Sequence, residues 1–319
     1  MIGLSPENLP TPRQEDWKYT SLSRAIPKKL VPEAAKSSIL IHRNRGQICE
    51  QGEDILLTGQ SGMLHSPVLK VVLEQGAELT LIERHEGVGS YWKNMDMEII
   101  LGKEAKFHHI RLIEDSVEAV STLNTRIKMS ESSFYSGFYL IQGGKLVRNE
   151  IHCLIEGEKA QCHFNGISLL QGEQHGDTTL CAEHKAQYTR SSQFFRTVLD
   201  DRARGVFQGK VYVHKNADKI EATQLSNALL LAEGTEMDTK PALEIYADDV
   251  KCTHGATTGK LDEAALFYMR SRGMSAQEAR RLLIEAFVGG VVDKLEDEAV
   301  REIVYYKVQQ WLKRRPDDI

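Results

Sequence analysis

Alternating apolar and polar residues, in short runs separated by polar turns, fill most of the chain from about residue 36 onward. The stretch 68–73 reads Val-Leu-Lys-Val-Val-Leu, and after a turn 78–83 reads Glu-Leu-Thr-Leu-Ile-Glu. A period of two places successive side chains on opposite faces of a β-strand. No convincing helical stretch interrupts these runs before about residue 255, which disfavours alternating β-α units. The pattern predicts a mainly β region over 36–257.

The turns between these runs recur with a regular spacing. Each ends in a small residue flanked by strand-like sequence, and these residues follow one another at intervals of about 28. They are Ala77, Ala105, Ser133, Ala160, Ala186 and Ala217. A repeat of this length holds two or three strands, which suits a solenoid whose turns stack on one another. The sequence therefore predicts a parallel β-helix, with a β-sandwich as the alternative.

Residues 1–35 are predicted to form a separate N-terminal helical segment. The run Thr11–Gln14 combines an N-cap residue, a proline at the first helical position and a glutamine at the capping-box position. We expect a short helix here that carries Trp17 and Tyr19. The two rings are expected to dock on the larger body of the protein.

A helical pattern replaces the β pattern in the predicted C-terminal domain, 258–319. A first helix over 261–273 ends at a glycine, and Ser275 with Glu278 forms a capping box for a second helix. The predicted apolar face of this second helix comprises Ala279, Leu282, Leu283, Ala286 and Phe287.

A third helix carries a broad apolar stripe with the 3.6-residue period of an amphipathic helix. The stripe comprises Val300, Ile303, Val304, Val308, Trp311 and Leu312. Basic residues follow at 313–315, near the helix C-terminus, where cations are favourable. Two interpretations stay open: the stripe covers an open end of the solenoid, or it binds a partner protein.

Composition narrows the possible function classes. With 40 basic and 45 acidic residues, the chain of 319 residues has a net charge of −5, which does not favour binding to nucleic acid or to an anionic membrane. The first residues show no basic region followed by an apolar core, and no window is apolar for long enough to cross a bilayer. We expect an unexported, cytoplasmic protein.

Most cysteines and histidines lie outside recognised site patterns. The five cysteines are scattered and include no C-x-x-C pair, so we expect neither a disulfide framework nor a zinc ribbon. Cys49, Cys153, Cys162 and Cys181 are expected to be small buried hydrophobes, with Cys153 stacked on Cys181 one turn apart. Histidines without a metal-binding spacing are expected at turns or on the surface. These are His108, His109, His163, His175, His184 and His214.

Cys252 and His254 are the exception, because a thiol and an imidazole stand two residues apart. In an extended segment, residues i and i+2 point to the same face, so both side chains can reach one point in space. Both are ligands for iron or zinc. A closed tetrahedral zinc site or an iron–sulfur cluster normally takes four ligands. The sequence therefore predicts half of a metal site, whose remaining ligands come from elsewhere.

The run from Gly255 to Lys260 imitates a phosphate-binding loop that leads into a helix. The spacing of its glycines is one residue short of G-x-x-x-x-G-K-[ST], and Leu261 stands where the magnesium-binding hydroxyl belongs. We expect this chain to bind no nucleotide.

Three longer segments resemble the SufB/SufD family of iron–sulfur cluster assembly proteins. They are 189–213, 241–257, which ends in Asp-Asp-Val-Lys-Cys-Thr-His-Gly-Ala-Thr, and 266–273. The opening 13–20, Arg-Gln-Glu-Asp-Trp-Lys-Tyr-Thr, and the run 201–209 resemble the SufD branch more than the SufB branch.

The resemblance implies a right-handed parallel β-helix with helical ends. It also implies a non-catalytic scaffold that pairs with a SufB-like subunit, or with itself in isolation, and that docks the SufC ATPase through the C-terminal helices. Cys252 and His254 would lie at the interface of the two scaffold subunits and share a transient iron–sulfur cluster. We expect His254 to be the more important ligand and Cys252 to be auxiliary, while flavin binding is left open.

Three alternative functions are compatible with a β-helix of this kind. The chain could be a SufB-like scaffold subunit, or a purely structural adaptor in which Cys252 and His254 are dispensable. A β-helix can also be a polysaccharide-cleaving enzyme, but such an enzyme would be secreted, and the start of this chain does not resemble a signal peptide.

Overall fold

Two parallel β-sheets face each other in the computed structural model, which describes residues 4–34, 37–49, 51–295 and 297–313. The ten-stranded sheet contains β1 (Val31–Pro32), β2 (Ser38–Arg43), β4 (Met63–His65), β5 (Val68–Leu73), β7 (Trp92–Leu101), β9 (Val120–Met129), β11 (Leu146–Ile155), β13 (His175–His184), β15 (Arg204–Val213) and β17 (Glu236–Ile245). The eight-stranded sheet contains β3 (Glu53–Gln60), β6 (Glu78–Val88), β8 (Lys106–Ile113), β10 (Phe134–Ile141), β12 (Gln161–Leu170), β14 (Arg190–Leu199), β16 (Ile220–Leu230) and β18 (Val250–Gly259).

From β6 onward the chain alternates between the sheets, so each turn adds one parallel strand to both. This arrangement confirms the predicted parallel β-helix. The predicted boundary between residues 35 and 36 lies outside the described residues, and β18 extends two residues beyond 257. The division into three domains stays a prediction.

One corner of the solenoid is built from residues in the left-handed backbone region. Their φ angles lie between 55° and 68°, and each backbone N–H donates to a carbonyl of the next turn. They are Gly46, Gly76, Glu104, Ser132, Lys159, Tyr188 and Lys219. The repeat of about 28 residues is therefore real. Its last two small residues were misplaced, because Thr189 and Ile220, not Ala186 and Ala217, follow the corner residue.

An apolar core fills the space between the sheets, with a charged cluster at its centre. Glu83 is fully buried and accepts from Arg111 Nε at 2.9 Å and pairs with His109 Nε2 at 2.7 Å; His85 also contacts its carboxylate. Burial opposes the charged form, but Arg111 and the two histidines outweigh it and hold the pKa of Glu83 well below its usual value. The expectation that His109 lies at a turn or on the surface was wrong.

His184, also predicted at a turn or on the surface, is fully buried at the end of β13. Its ring nitrogens bond Thr189 Oγ1 at 2.7 Å and Ser191 Oγ at 2.8 Å. Burial lowers the pKa of His184 to about 4. The folded protein therefore keeps this ring neutral at a pH where the unfolded chain already binds a proton.

We expect acid to weaken the fold through His184. Because its folded pKa is below the unfolded value of 6.5, the stabilisation is present above pH 6.5 and is lost as the pH falls towards 4. The slope inside this window is at most about 1.4 kcal/mol per pH unit. Urea unfolding at several pH values should show a shallower decline for His184→Asn than for the wild type. Parallel declines would contradict the assignment.

The helices lie outside the solenoid. They are α1 (Leu22–Ala25), α2 (Glu263–Ser271), α3 (Ala276–Val292) and α4 (Glu298–Lys313), with a 3-10 turn at Glu15–Trp17. The capping role of Ser275 is confirmed, since its hydroxyl accepts from the Glu278 backbone N–H at 3.1 Å.

Helices α3 and α4 pack on the outer face of the eight-stranded sheet. Their buried side chains meet Ile110, Leu112, Phe138, Leu140, Ile167, Leu169, Val198 and Leu229. The interpretation that the apolar stripe covers an open end of the solenoid was therefore wrong. The predicted face of α3 was right at Ala279, which is buried, and at Phe287, which borders this cluster, but it was wrong at Leu282, which is 36% exposed. Ile284, Val288 and Val292 are buried instead.

The N-terminal strap, residues 4–26, crosses the outer face of the ten-stranded sheet. Its Trp17 and Leu22 are buried against Trp92 and Val120 of the sheet, which confirms the predicted docking of Trp17. The helix predicted to start near Thr11 is only the 3-10 turn Glu15–Trp17, which begins after Gln14. The backbone otherwise follows the sheet surface.

Candidate functional site

The last turn of the solenoid leaves two strands open on the same end. Strand β17 pairs only with β15, and β18 pairs only with β16, within the described part of the chain. Pro241 lies in β17, where its missing N–H is tolerated because a proline in a sheet belongs on an edge strand. Each open strand presents backbone donors and acceptors that another chain can pair with.

Cys252 and His254 lie on the open strand β18. They are in register with Ala222 and Gln224 of β16, which are buried and point into the solenoid. Cys252 and His254 therefore continue two inward-facing columns at the open end, and both occupy the same face, as predicted. Cys252 is half-buried beside Ala222, whereas His254 is exposed because no later turn covers it.

The two donors differ in their readiness to bind a metal. Burial raises the pKa of the Cys252 thiol, so the thiol is protonated near neutral pH and metal binding would have to release that proton. His254 is open to solvent, and imidazole nitrogens are common metal ligands. The described residues contain no group of three or more His, Cys, Asp or Glu side chains that could hold a metal ion. Cys252 and His254 by themselves would be an incomplete ligand set, and their role as metal ligands stays a prediction.

A polar column continues inward behind His254. Gln224 donates from Nε2 to Gln193 Oε1 at 3.0 Å, while its own Oε1 is buried without a hydrogen-bond partner. Ser226 Oγ, one position along the same inward face, is also buried without a partner. Two polar atoms of this column are thus buried without a hydrogen-bond partner among the described residues.

The glycine-rich run does not form a phosphate cradle. Gly255 and Gly259 lie within the extended strand β18, and α2 begins only at Glu263. The N-terminus of α2 is already capped by Asp262, whose carboxylate accepts from the N–H groups of Ala264 at 2.9 Å and Ala265 at 3.2 Å. The negative charge of Asp262 would repel an anion at this helix N-terminus.

The apolar stripe predicted to dock an ATPase faces the chain's own sheet. Val300, Val304, Val308 and Trp311 are at most 2% exposed, and Ile303 is half-buried. All five belong to or border the apolar cluster beneath α3 and α4. Their docking role stays a prediction, and it would require α4 to leave the sheet. Residues 314–315 lie outside the described part of the chain.

The remaining cysteines are placed by strand register. Cys153 and Cys162 are buried in the core as predicted, whereas Cys49 and Cys181 are only half-buried. Cys153 aligns with Ala182, so it does not stack on Cys181, which points to the opposite face of its sheet. The spacing of 28 residues fails here because β11 and β13 are offset by 29.

The buried cluster around Glu83 was missed because it has no short-range motif. Glu83 and Arg111 are cross-strand partners in successive turns. A search for opposite charges one repeat apart would have found them.

Within the described residues, no helix is long and apolar enough to cross a membrane.

Comparison with known proteins places the fold in a family. Residues 55–287 match the family described as SUF system FeS cluster assembly, SufBD core domain. The chain is 32% identical to the iron-sulfur cluster assembly protein SufD of Escherichia coli, over 75% of this chain and 57% of that protein. It is 34% identical to the SufBD family protein slr0076 of Synechocystis, over 72% of this chain and 53% of that protein.

A plant relative extends the pattern. Protein ABCI7, chloroplastic, of Arabidopsis thaliana is 31% identical over 74% of this chain and 51% of that protein. The chain thus spans just over half the length of these relatives. The resemblance seen in the sequence motifs is confirmed. The chain belongs to the SufBD family of the SUF system for iron–sulfur cluster assembly.

Proposed function

We propose that this chain is a SufD-like, non-catalytic scaffold subunit that pairs with a SufB-like subunit and works in the cytoplasm with a SufC-type ATPase. The observation that carries the proposal is the position of Cys252 and His254 on an open edge strand, in a family of iron–sulfur assembly proteins. The nascent cluster is cargo in this proposal, and nucleotide is bound by the ATPase alone.

The open end supports pairing with a second solenoid. Strands β17 and β18 each run for ten residues, so their free edges offer a long row of backbone groups. A partner strand added to β18 would extend the inward columns that hold Cys252 and His254. Inward-facing donors of the partner would then stand about 5 Å away, within reach of a shared cluster.

His254 is assigned the leading role among the two ligands. It is exposed at the open end of the solenoid, so one of its ring nitrogens can bind iron there. Cys252 is auxiliary, because its half-buried thiol must first lose a proton.

The ATPase is proposed to contact the exposed side of the C-terminal helices. Phe267 and Tyr268 on α2 are 75% and 59% exposed, and Tyr306 on α4 is 62% exposed. Aromatic residues are enriched at protein interfaces, so these three are candidates for direct contact. The buried stripe on α4 would then serve the interaction indirectly by holding the helix on the sheet.

His254→Ala in the reconstituted complex is expected to lower bound iron and sulfide about tenfold, because a ligand is removed while the strand stays paired with β16. Thr253→Ala, on the opposite face of the same strand, is the matched control and should keep full loading. Iron and sulfide are assayed after the complex is purified. Unchanged loading with intact binding of both partners would leave the structural adaptor as the better explanation.

A further inference from the structure

An arginine without an acidic partner among the described residues lies between helix α3 and the outer face of the eight-stranded sheet. The guanidinium carbon of Arg196, on β14, is 5.2 Å from the centre of the Phe194 ring and 4.9 Å from that of Phe287 on α3. It also lies against the backbone of α3 at Gly290, where an added Cβ would be 3.1 Å from a terminal nitrogen. Two rings and a helix backbone therefore hold the guanidinium in a fixed position.

The charge of Arg196 has no counter-charge in the described part of the chain. Arg196 forms no hydrogen bond or ion pair with a described residue, and its Nε is buried without a partner. Burial lowers the pKa of this guanidinium, and no described carboxylate acts in the opposite direction. The two terminal nitrogens are not enclosed in this way, so they are the donors that a ligand can reach.

A second cation lies on the ring of Phe194. Lys294 Nζ is 5.0 Å from the centre of this ring, and the side chain of Lys294 is exposed. Among the described residues Lys294 has no ion pair, and the carboxylate of the neighbouring Asp293 accepts from the Tyr305 hydroxyl at 2.9 Å instead. Two positive charges thus share one aromatic ring without a described acidic partner.

Other arginines on the strand surfaces are paired with acidic residues. Arg190, on the same strand as Arg196, donates to Glu221 of the next turn at 2.9 Å, and Arg204 donates to Asp238 at 2.8 Å. Such pairs balance the charge within the chain. The unpaired state of Arg196 therefore favours a counter-charge that another molecule supplies.

The path to Arg196 is open on the side of the last turns. In the sheet, Arg196 aligns with Asn227 of β16 and, one turn further, with Thr257 of β18. Thr257 is exposed, whereas α3 contacts β12 and β14. A partner that approaches over β18 and β16 can therefore reach the terminal nitrogens of Arg196.

We propose that Arg196 binds an acidic side chain of the SufC-type ATPase, with Lys294 adding attraction at the rim of the contact. The planar guanidinium can donate to both oxygens of one carboxylate, and its fixed position reduces the entropy lost on binding. Phe194 and Phe287 exclude water around it, as at the hot spot of an interface. The inference rests on the ATPase docking proposed above and adds a contact on the sheet to those on the helices.

Binding of the purified ATPase to the full chain, measured by biolayer interferometry, tests the inference. We expect Arg196→Gln to weaken binding about tenfold or more, because the carboxylate of the ATPase would lose its bidentate partner. Arg190→Gln is the matched control, since Arg190 lies on the same strand and is exposed, and it should bind like the wild type. Gly290→Ala keeps every charge but places a Cβ against the guanidinium, so it should weaken binding as well. Hydrogen exchange in α3 verifies that each variant keeps its packing.

A double-mutant cycle identifies the acidic partner. Each exposed Asp and Glu of the ATPase is changed to the corresponding amide. One of these variants should weaken binding to the wild-type chain and have little further effect on binding to Arg196→Gln. If no acidic residue of the ATPase is coupled to Arg196, the inference is overturned.

The remaining outcomes separate this inference from the docking on which it rests. If Arg196→Gln and Arg190→Gln bind the ATPase equally, Arg196 is not a contact, while the docking itself stands. If Arg196→Gln weakens binding of the SufB-like subunit and leaves ATPase binding unchanged, the ATPase is the wrong partner for this residue. If the wild-type chain does not bind the ATPase, the proposed docking fails and the inference fails with it.

Discussion

Val304→Asp combined with Val308→Asp is expected to detach α4 from the eight-stranded sheet and to lower the free energy of unfolding by about 4 kcal/mol or more. Both valines are 0% exposed and belong to the apolar cluster between the helices and the sheet. Two carboxylates at these positions would be buried without a cationic partner, or the helix would have to leave. Detachment would expose the outer-face residues Phe138 and Ile167.

The damage should be confined to this layer. The residues beneath α4 form a cluster separate from the core between the two sheets. Hydrogen exchange should therefore accelerate in α3 and α4 while the inner strands stay protected. Tyr306→Asp is the matched control, since Tyr306 is on the same helix and is 62% exposed. A double variant as stable as this control would contradict the packing of α4.

This expectation changes how a loss of ATPase binding is interpreted. If the double variant no longer binds the ATPase, the cause is the displaced helix, and the result does not identify a contact. Charge substitutions at Phe267 and Tyr268 leave the sheet layer intact, because these side chains are exposed on α2. If these variants lose ATPase binding, the cause is the loss of a direct contact and not the detachment of α4.

The β-helix was predictable because turn residues recur along the sequence at a nearly constant interval. The corner residues that set the period, such as Gly76 and Glu104, recur even though only some are glycine. The predicted positions failed at Ala186 and Ala217 because the interval between corner residues is not constant. It is 27 residues from Ser132 to Lys159 and 31 residues from Tyr188 to Lys219. Spacing alone cannot tell which of two nearby small residues follows the corner.

The pairing of Cys252 with His254 was also predictable, since an extended strand brings i and i+2 to one face. The open edge was not, because it depends on which turn of the solenoid is the last to be paired. The buried position of His109 was equally hidden. Its burial follows from a carboxylate at Glu83, one turn earlier, and no local signal links the two.

The buried face of α3 was also only partly predictable from the sequence. The predicted face included Leu282 and Ala286, whereas the buried side contains Val288, Val292 and the glycine pair at 289–290. A Cβ at Gly290 would lie 3.1 Å from the Arg196 guanidinium, so the glycine allows close approach to the sheet. The helical period of apolar residues predicts which side chains are buried, but it does not predict a close contact that depends on a glycine.

Glu83→Ala is expected to lower the free energy of unfolding by about 3–5 kcal/mol at pH 7. The substitution removes the carboxylate that pairs with Arg111, His109 and His85, all of which are fully buried. Arg111 would retain hydrogen bonds to Asn149 Oδ1 at 2.8 Å and to Met97, and the Tyr139 ring 5.8 Å away, none of which is charged. Its charge would then be buried without an opposite charge, which is the costly half of a broken ion pair.

Urea unfolding of the wild type, Glu83→Ala and the exposed control Glu131→Ala measures the effect, and the control is expected to change little because its ion pair with Lys103 is solvent-exposed. The pKa of Glu83 is held well below the ordinary 4.5, so its stabilisation is present above that pH and is lost as the pH falls through the folded value. The gap between wild type and Glu83→Ala should therefore narrow in acid. A loss below about 1 kcal/mol at pH 7 would show that the cluster is not held together by the Glu83 charge.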